Sequence, residues 1–335
     1  MHRTTYSSPT FTDAPALVPY GWDDRVATLF ASLERVVEDA APARVVRVER
    51  GACAVQTEGG ERVAATVRTM PAAVGDWVVV RPSDDRSRSM VVDAIVPRWS
   101  ALTRQGSEHD HDEQVLAANV DVVVIMAPLD RLRIARLERE LLVAWESGAV
   151  PLVVLTKADL DADASSSLEM VRARLVGTDV VLTSAVTGDG VADVGAQLQP
   201  NRTAVLFGPS GAGKSTLANA LLGEEVLATG AVREDDRRGR HTTTSRHLLP
   251  LPGGGVLIDT PGLRAIGIWS GDDGLAAAFA DIIELAESCR FRDCQHDREP
   301  SCAVLAAVEA GDLDAARFAS YQKLHREVAS RRPRR

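Results

Sequence analysis

Aromatic side chains are scarce in this sequence, at 4% of its residues. The abundant Ala and Val must therefore supply a largely aliphatic core. Long apolar runs are missing as well: no stretch approaches the roughly 18 consecutive apolar residues of a membrane-spanning helix. The first residues, MHRTTYSSPTFTDAPALVPYGW, hold no continuous apolar segment, so no signal peptide is expected. Positive charge is not in excess. The formal net charge is −9, which argues against coating nucleic acid by bulk charge. Cysteines number only four: Cys53, Cys289, Cys294 and Cys302. Three crowd into one short segment, which in a cytosolic protein points to metal rather than disulfides. Cys53 is left over, a small residue for a buried strand. No internal repeat or low-complexity segment is present.

What remains is ordinary for soluble globular protein: 335 residues, 45% hydrophobic and 25% charged, enough for two or three domains. Two local basic clusters interrupt the acidic average. One is 237–247, with Arg237, Arg238, Arg240 and Arg246; the other is the tail from Arg317 to Arg335. Such clusters can meet phosphate backbones or serve solubility and helix C-termini. A polar start, residues 1–42, includes a helical pattern over Asp23 to Glu38. Residues 43–97 then carry five short β-branched runs, RVVRV, ACAVQT, RVAATV, DWVVVR and MVVDAIV, separated by turn residues. They predict a small closed barrel over 43–100 of the OB type, with an SH3-like barrel as the alternative.

After Ala118 the pattern changes. Apolar runs (NVDVVVIMAPL, VPLVVLTKADL, DVVLTSA, TAVLFG, GGVLIDTPG) alternate with helical stretches, one of which places Leu137, Leu141 and Ala144 on one face. This predicts a parallel sheet covered by helices on both faces over 112–275, followed by a helical module over 276–335.

The strongest chemical signal is GPSGAGKS: Gly208, Pro209, Ser210, Gly211, Ala212, Gly213, Lys214 and Ser215, with Thr216 opening the helix behind it. Glycines let backbone N–H groups converge on phosphate oxygens at the positive end of a helix. Lys214 is expected to reach the β- and γ-phosphates, and the Ser215 hydroxyl to bind Mg²⁺. IDTPG ends another apolar strand; Asp259 there can hold Mg²⁺ through water, and the Gly262 N–H can sense a γ-phosphate. TKAD supplies Thr156, Lys157, Ala158 and Asp159. The Asp159 carboxylate can accept two donors that guanine offers and adenine lacks, and the Lys157 stem can stack on the base. Thr156 stands where the usual N-K-x-D form has Asn. Ser184 and Ala185, in TSAVTG, resemble the loop that supports the guanine O6. Thr243 and Thr244, in RHTTT, are the candidates for a switch threonine that meets Mg²⁺ and the γ-phosphate.

Motif order decides among nucleotide-binding classes. Ordinary GTPases place the P-loop first and the guanine loops last; here TKAD and TSA precede the P-loop, and DTPG follows it. Parallel α/β sheets tolerate such circular permutation when the joined ends lie close together. The remaining signal is Cys289, Cys294, His296 and Cys302, a closed Cys₃His set suited to one structural Zn²⁺.

Taken together, the permuted order, GPSGAGKS, RHTTT, LIDTPGLRAIGIW and the cysteine spacing closely resemble the RsgA (YjeQ) family over about residues 43–330. The resemblance implies an OB barrel, a permuted GTPase domain and a C-terminal zinc domain. It also implies a cytoplasmic, monomeric protein without membrane attachment that binds the small ribosomal subunit and its rRNA late in assembly. There it is expected to hydrolyse GTP to GDP under the subunit's stimulation. Leu263 follows DTPG where Ras-type enzymes keep a water-orienting Gln, so His241 or a group of the partner must assist. Two rivals stand beside this reading. An ATP-using P-loop enzyme is favoured if Asp159 does not read guanine. A nucleotide-responsive RNA-binding scaffold with weak or no turnover is the other, against which Lys214, Ser215 and Asp259 argue.

Overall fold

The five β-branched runs form strands, since such side chains fit a pleated, half-buried surface. The computed structural model describes residues 6–7, 14–33, 36–37, 39–49, 51–66, 70–83, 89–104, 114–227, 246–259 and 272–331. After two short segments that pair with each other, β1 (Tyr6–Ser7) and β2 (Val36–Val37), come β3 (Ala41–Glu49), β4 (Ala52–Thr57), β5 (Gly60–Ala65), β6 (Trp77–Pro82) and β7 (Met90–Ile95). The neighbour order β3-β4-β5-β7-β6 returns to β3, which pairs with both β4 and β6, so the barrel closes. The step from β5 to β7 skips β6, and those two strands run parallel. That is the Greek-key order of an OB fold rather than a meander, and the SH3-like alternative is set aside. Register shifts in β3 after Val45 and in β6 after Val79 bend the strands, as closure needs.

Inside the barrel lie Val45, Val55, Ala64, Val78, Val80 and Val92, together with Cys53. Burial pushes the Cys53 thiol up to about 12, leaving it a small apolar filler. The other face of β6 is buried too. Trp77 and Val79 pack against Leu17, Trp22, Val26 and Phe30, from a 3₁₀ turn (Pro15–Tyr20) and helix α1 (Asp24–Ala31). Asp23 caps α1, its carboxylate accepting the Val26 N–H at 2.9 Å. The Trp22 and Trp77 rings meet edge-on at 5.5 Å. Residues 14–33, to which the sequence assigns no role, thus plug one side of the barrel. The helix is shorter than the expected 23–38. It ends at Ala31, and Val36–Val37 pair with Tyr6–Ser7 instead, in keeping with the extended preference of β-branched residues.

A hairpin of β8 (Ala101–Arg104) and β9 (Gln114–Ala118) leads into the second unit. Its elements run β10 (Val122–Pro128), α2 (Ile134–Glu146), β11 (Val150–Thr156), α3 (Ala164–Arg174), β12 (Asp179–Leu182), α4 (Val191–Gln197), β13 (Thr203–Phe207), α5 (Lys214–Leu222), β14 (His247–Pro250) and β15 (Val256–Asp259). The sheet order is β12-β11-β10-β13-β15-β14, parallel except for β14. Successive side chains alternate faces. On β10, Val123 and Ile125 join the core formed with Leu137 and Leu141 of α2 and Val171 of α3. Val122, Val124 and Met126 join the core with Val194 of α4 and Leu217 and Leu222 of α5. Both faces are therefore covered, which explains why these strands read as continuous apolar runs. At the sheet edge, His247 of β14 pairs with Arg47 of β3, which joins the sheet to the barrel.

The barrel and the sheet also share a buried cation. Arg44 of β3 donates to the Tyr20 carbonyl and, at 2.7 Å, to the Thr203 hydroxyl at the start of β13, with its guanidinium over the Trp77 ring. Burial lowers its pKa to about 10.

The C-terminal part consists of α6 (Asp272–Ala278), α7 (Ala280–Ala286), α8 (Ala303–Ala310) and α9 (Ala315–Arg331), packed around Phe279, Ile282, Phe318, Tyr321 and Val328. Charged pairs fasten it to the sheet unit. Arg139 of α2 grips Glu327 of α9 with two bonds of 2.5 and 2.6 Å. Arg174 of α3 bridges the buried Glu138 (2.9 Å) and Asp314. Arg317 holds Asp281 through two 2.6 Å bonds and donates to the Arg174 and Ala278 carbonyls.

Candidate nucleotide and metal sites

TKAD, TSA, the P-loop and Asp259 each stand at the carboxyl end of a parallel strand. In register, Pro128 of β10 is level with Thr156 of β11, and Ile125 of β10 with Phe207 of β13. Val205 pairs with Ile258, so Asp259 ends β15 one strand over from the root of the P-loop. Open α/β sheets bind ligands along that edge. The permutation is thus a matter of chain order only: TKAD and TSA come earlier in sequence yet flank the P-loop in space.

The P-loop leaves β13 through Gly208, whose φ of 149° and close approach to β10 admit no side chain; a Cβ there would lie 2.6 Å from the Met126 carbonyl. Gly213, at φ 89°, opens α5 with no side chain capping it. The helix dipole adds positive potential at this end of α5. Lys214 donates to the Gly208 and Pro209 carbonyls at 3.0 and 2.7 Å, folding back over the loop. Ser215 and Thr216 follow, half-buried at the start of the helix, and Ser210 and Gly211 are exposed at the tip.

The TKAD and TSA residues form one connected set. Asp159, exposed on a 3₁₀ turn (Ala158–Leu160), accepts the Ser184 hydroxyl at 2.6 Å. Ser184 is buried and also receives the Thr187 N–H. The Ala158 N–H donates to Thr183, fixing the two loops together, with Ala185 beside them. Ser184 thus orients the carboxylate, a contact that the motif spacing alone does not reveal. Thr156 is buried, and its hydroxyl donates to the Ala212 carbonyl of the P-loop at 2.9 Å. The side chain at the Asn position of N-K-x-D therefore ties the TKAD turn to the P-loop. Of the remaining predicted residues, His241, Thr243, Thr244 and Gly262 lie outside the described residues, as does Leu263.

Cys289, Cys294, His296 and Cys302 come together with all four ligand atoms within 4.8 Å of one another. Tetrahedral zinc, with bonds of about 2.3 Å to sulfur and about 2.0–2.1 Å to nitrogen, requires S···S edges of about 3.8 Å and S···N edges of about 3.6 Å. The observed edges are 3.8 Å for Cys289–Cys302, 3.6 Å for Cys289–His296 Nδ1 and 3.4 Å for Cys302–His296 Nδ1. The donor set therefore fits zinc in size and chemistry. Its loops are held from outside. Gln322 of α9 donates to the His296 carbonyl at 3.1 Å. The Glu299 carboxylate accepts the N–H groups of Gln295, Asp297 and Arg298, contacts that hold its carboxyl down at about 2. Sequence reasoning missed both supports.

A P-loop strand at the centre of a parallel sheet, guanine-type loops encoded ahead of it, an OB barrel in front and a Cys₃His cluster behind define a circularly permuted P-loop GTPase. Comparison with known proteins agrees. The family model described as RsgA GTPase matches residues 95–269, and the chain belongs to that family. It is 48% identical over 331 residues to the small ribosomal subunit biogenesis GTPase RsgA of Streptomyces coelicolor, covering 96% of this chain and 89% of the relative. A relative of the same name from Streptomyces avermitilis is 48% identical over 93% of this chain and 85% of its own length. Among solved structures, YjeQ from Thermotoga maritima is similar with a TM-score of 0.67 and 26% identity, over 88% of this chain and all of its own. YloQ, titled a circularly permuted GTPase, is similar with a TM-score of 0.65 and 26% identity, over 89% of this chain and 98% of its own. Among the described residues no helix is long and apolar enough to cross a membrane.

Proposed function

We propose that this chain hydrolyses GTP during maturation of the small ribosomal subunit, binding the subunit and its rRNA in the cytoplasm as a monomer. The observation that carries the proposal is the convergence of the P-loop, Asp259 and the Thr156–Asp159 turn at one sheet edge, in a chain whose relatives bear that name. In this reading Asp159, oriented by Ser184, accepts the paired donors of guanine, and the Lys157 stem lies along the base. The P-loop amides and Lys214 take the phosphates. Ser215 and Asp259 are the residues to hold Mg²⁺, which would neutralise charge developing on the phosphates. Thr243, Thr244 and Gly262 are read as the γ-phosphate sensors and His241 as a candidate aid to the attacking water. Zinc at Cys289, Cys294, His296 and Cys302 would serve structure, since four protein ligands leave no open position.

Function is divided among an OB unit at 43–100, joined by residues 14–33 that plug it, a GTPase unit at 112–275 and a zinc unit from 276 onward. In the chain DTPG is followed by α6, which packs on α2. Switch ordering by the γ-phosphate would thereby reach the zinc unit. Nucleotide competition tests the base assignment. GTP and GDP should displace a fluorescent guanine nucleotide far better than ATP, and Asp159→Asn should shift preference toward xanthine nucleotides. Equal competition by ATP in the unmutated protein would overturn the proposal.

A further inference from the structure

Of the 38 lysine and arginine residues, only three are lysine: Lys157, Lys214 and Lys323. Arginine fills every other cationic position, yet lysine is kept at both nucleotide motifs. Lys214 belongs to the P-loop. At Lys157 a flexible methylene stem with a point charge at its end is not interchangeable with a planar guanidinium fork. The TKAD segment itself does not fix that stem. Lys157 leaves β11 with φ 64° and ψ 39°, and its Nζ lies 3.2 and 3.4 Å from the two carboxylate oxygens of Asp130. Asp130 belongs to a 3₁₀ turn, Leu129–Arg131, at the end of β10, the strand between β11 and the P-loop strand. The same carboxylate lies 3.5 Å from Nε of Arg131. Arg131 in turn rests against the P-loop: a Cβ on Gly211 would lie 3.4 Å from its Nη2. One anion therefore stands between two cations, one on the base loop and one beside the phosphate loop.

We infer that Asp130, outside every recognised nucleotide motif, is a positioning residue of the nucleotide site: it draws the Lys157 ammonium aside so that the methylene stem is presented to the base. The inference rests on the reading of Lys157 as the base-stacking residue. Asp130 acts through Lys157 and not on the nucleotide. Removing the charge should therefore disorder the stem while leaving the phosphate machinery intact.

GDP affinity, measured by displacement of a fluorescent guanine nucleotide, is compared in the unmutated protein, Lys157→Ala, Lys157→Met, Asp130→Asn and the double variant of the last two. Asp130→Asn should weaken GDP binding about two- to fivefold, the range of a partly exposed ion pair. KM for GTP should rise in the same proportion, with kcat held. In the Lys157→Met background the second substitution should add nothing, because the pair acts as a unit. If Lys157→Met, whose unbranched stem can still stack, leaves GDP affinity unchanged, the inference about Asp130 falls; if Lys157→Ala does so too, the base-stacking reading falls with it. If Lys157→Met weakens binding but Asp130→Asn does not, only the inference about Asp130 falls. Tighter binding by Asp130→Asn would overturn it as well, by showing that the carboxylate acts as a charge repelling phosphate. Full additivity in the double variant would overturn it too.

Discussion

Replacing Thr156 by Val isolates the bond between the TKAD turn and the P-loop. The two side chains are nearly isosteric, so packing is preserved and only the hydroxyl is lost. In the structure that hydroxyl donates at 2.9 Å to the carbonyl of Ala212, a fully buried residue. Without it the carbonyl is left unsatisfied in a site that holds no other donor for it among the hydrogen bonds of the described residues. An unmade bond of this kind costs about 1–3 kcal/mol, or about 5- to 150-fold in an equilibrium constant. Because Ala212 lies in the loop proposed to meet the phosphates, the loss should fall on nucleotide affinity. GDP and GTP should weaken alike, and the preference for guanine over adenine should persist, since Asp159 keeps its bond to Ser184. Thr156→Asn, which restores a donor, should recover most of the loss. Displacement of a fluorescent GDP by GDP, GTP and ADP gives the three affinities. Unchanged GDP affinity in a Thr156→Val protein that melts several degrees early would show that the bond serves only the fold. A collapse of guanine preference would show that Thr156 touches the base.

Lys214→Ala and Ser215→Ala should each abolish GTP hydrolysis without lowering the melting temperature, because neither side chain is in the core; unchanged turnover in either would remove the P-loop from the chemistry. Metal analysis of the purified protein should give one zinc per chain. Cys294→Ser should lower that content and speed amide exchange in α8 and α9, since structural zinc contributes folding energy directly; a metal-free protein with a protected C-terminus contradicts this. Arg174→Gln should destabilise by about 3–5 kcal/mol, because it strands the buried Glu138 carboxylate, and adding Glu138→Gln should recover part of the loss. A single-variant cost below about 1 kcal/mol would mean that the Glu138 carboxylate is not stranded by the loss of Arg174.

The features legible in the sequence are those written in local pattern. The barrel strands announce themselves as β-branched runs between turns, the α2 helix by its Leu137–Leu141–Ala144 face, and the permutation by the order of motifs along the chain. Contacts between distant segments leave no such trace. Arg174 and Asp314, or Arg139 and Glu327, are ordinary surface charges until the helices that carry them pack together. Trp22, Phe30 and Trp77 pair only because β6 is buried on both faces, which turns a polar-looking leader into the plug of a barrel. Thr156 reads in one dimension as a departure from N-K-x-D; in three dimensions it is the donor that holds the P-loop. Asp130 has no motif at all, and only the adjacency of β10 and β11 brings it to Lys157.

Turnover of GTP across a titration of purified small ribosomal subunits tests the central claim most directly. Leu263 cannot orient water as Gln does, so the isolated protein should turn over slowly. Subunits should raise the rate strongly, toward the roughly 10³- to 10⁵-fold that a catalytic group supplied in trans can give. The stimulation should fade as salt screens phosphate contacts. A rate that stays flat over the whole titration at low salt would contradict the assignment of the small subunit as the activating partner.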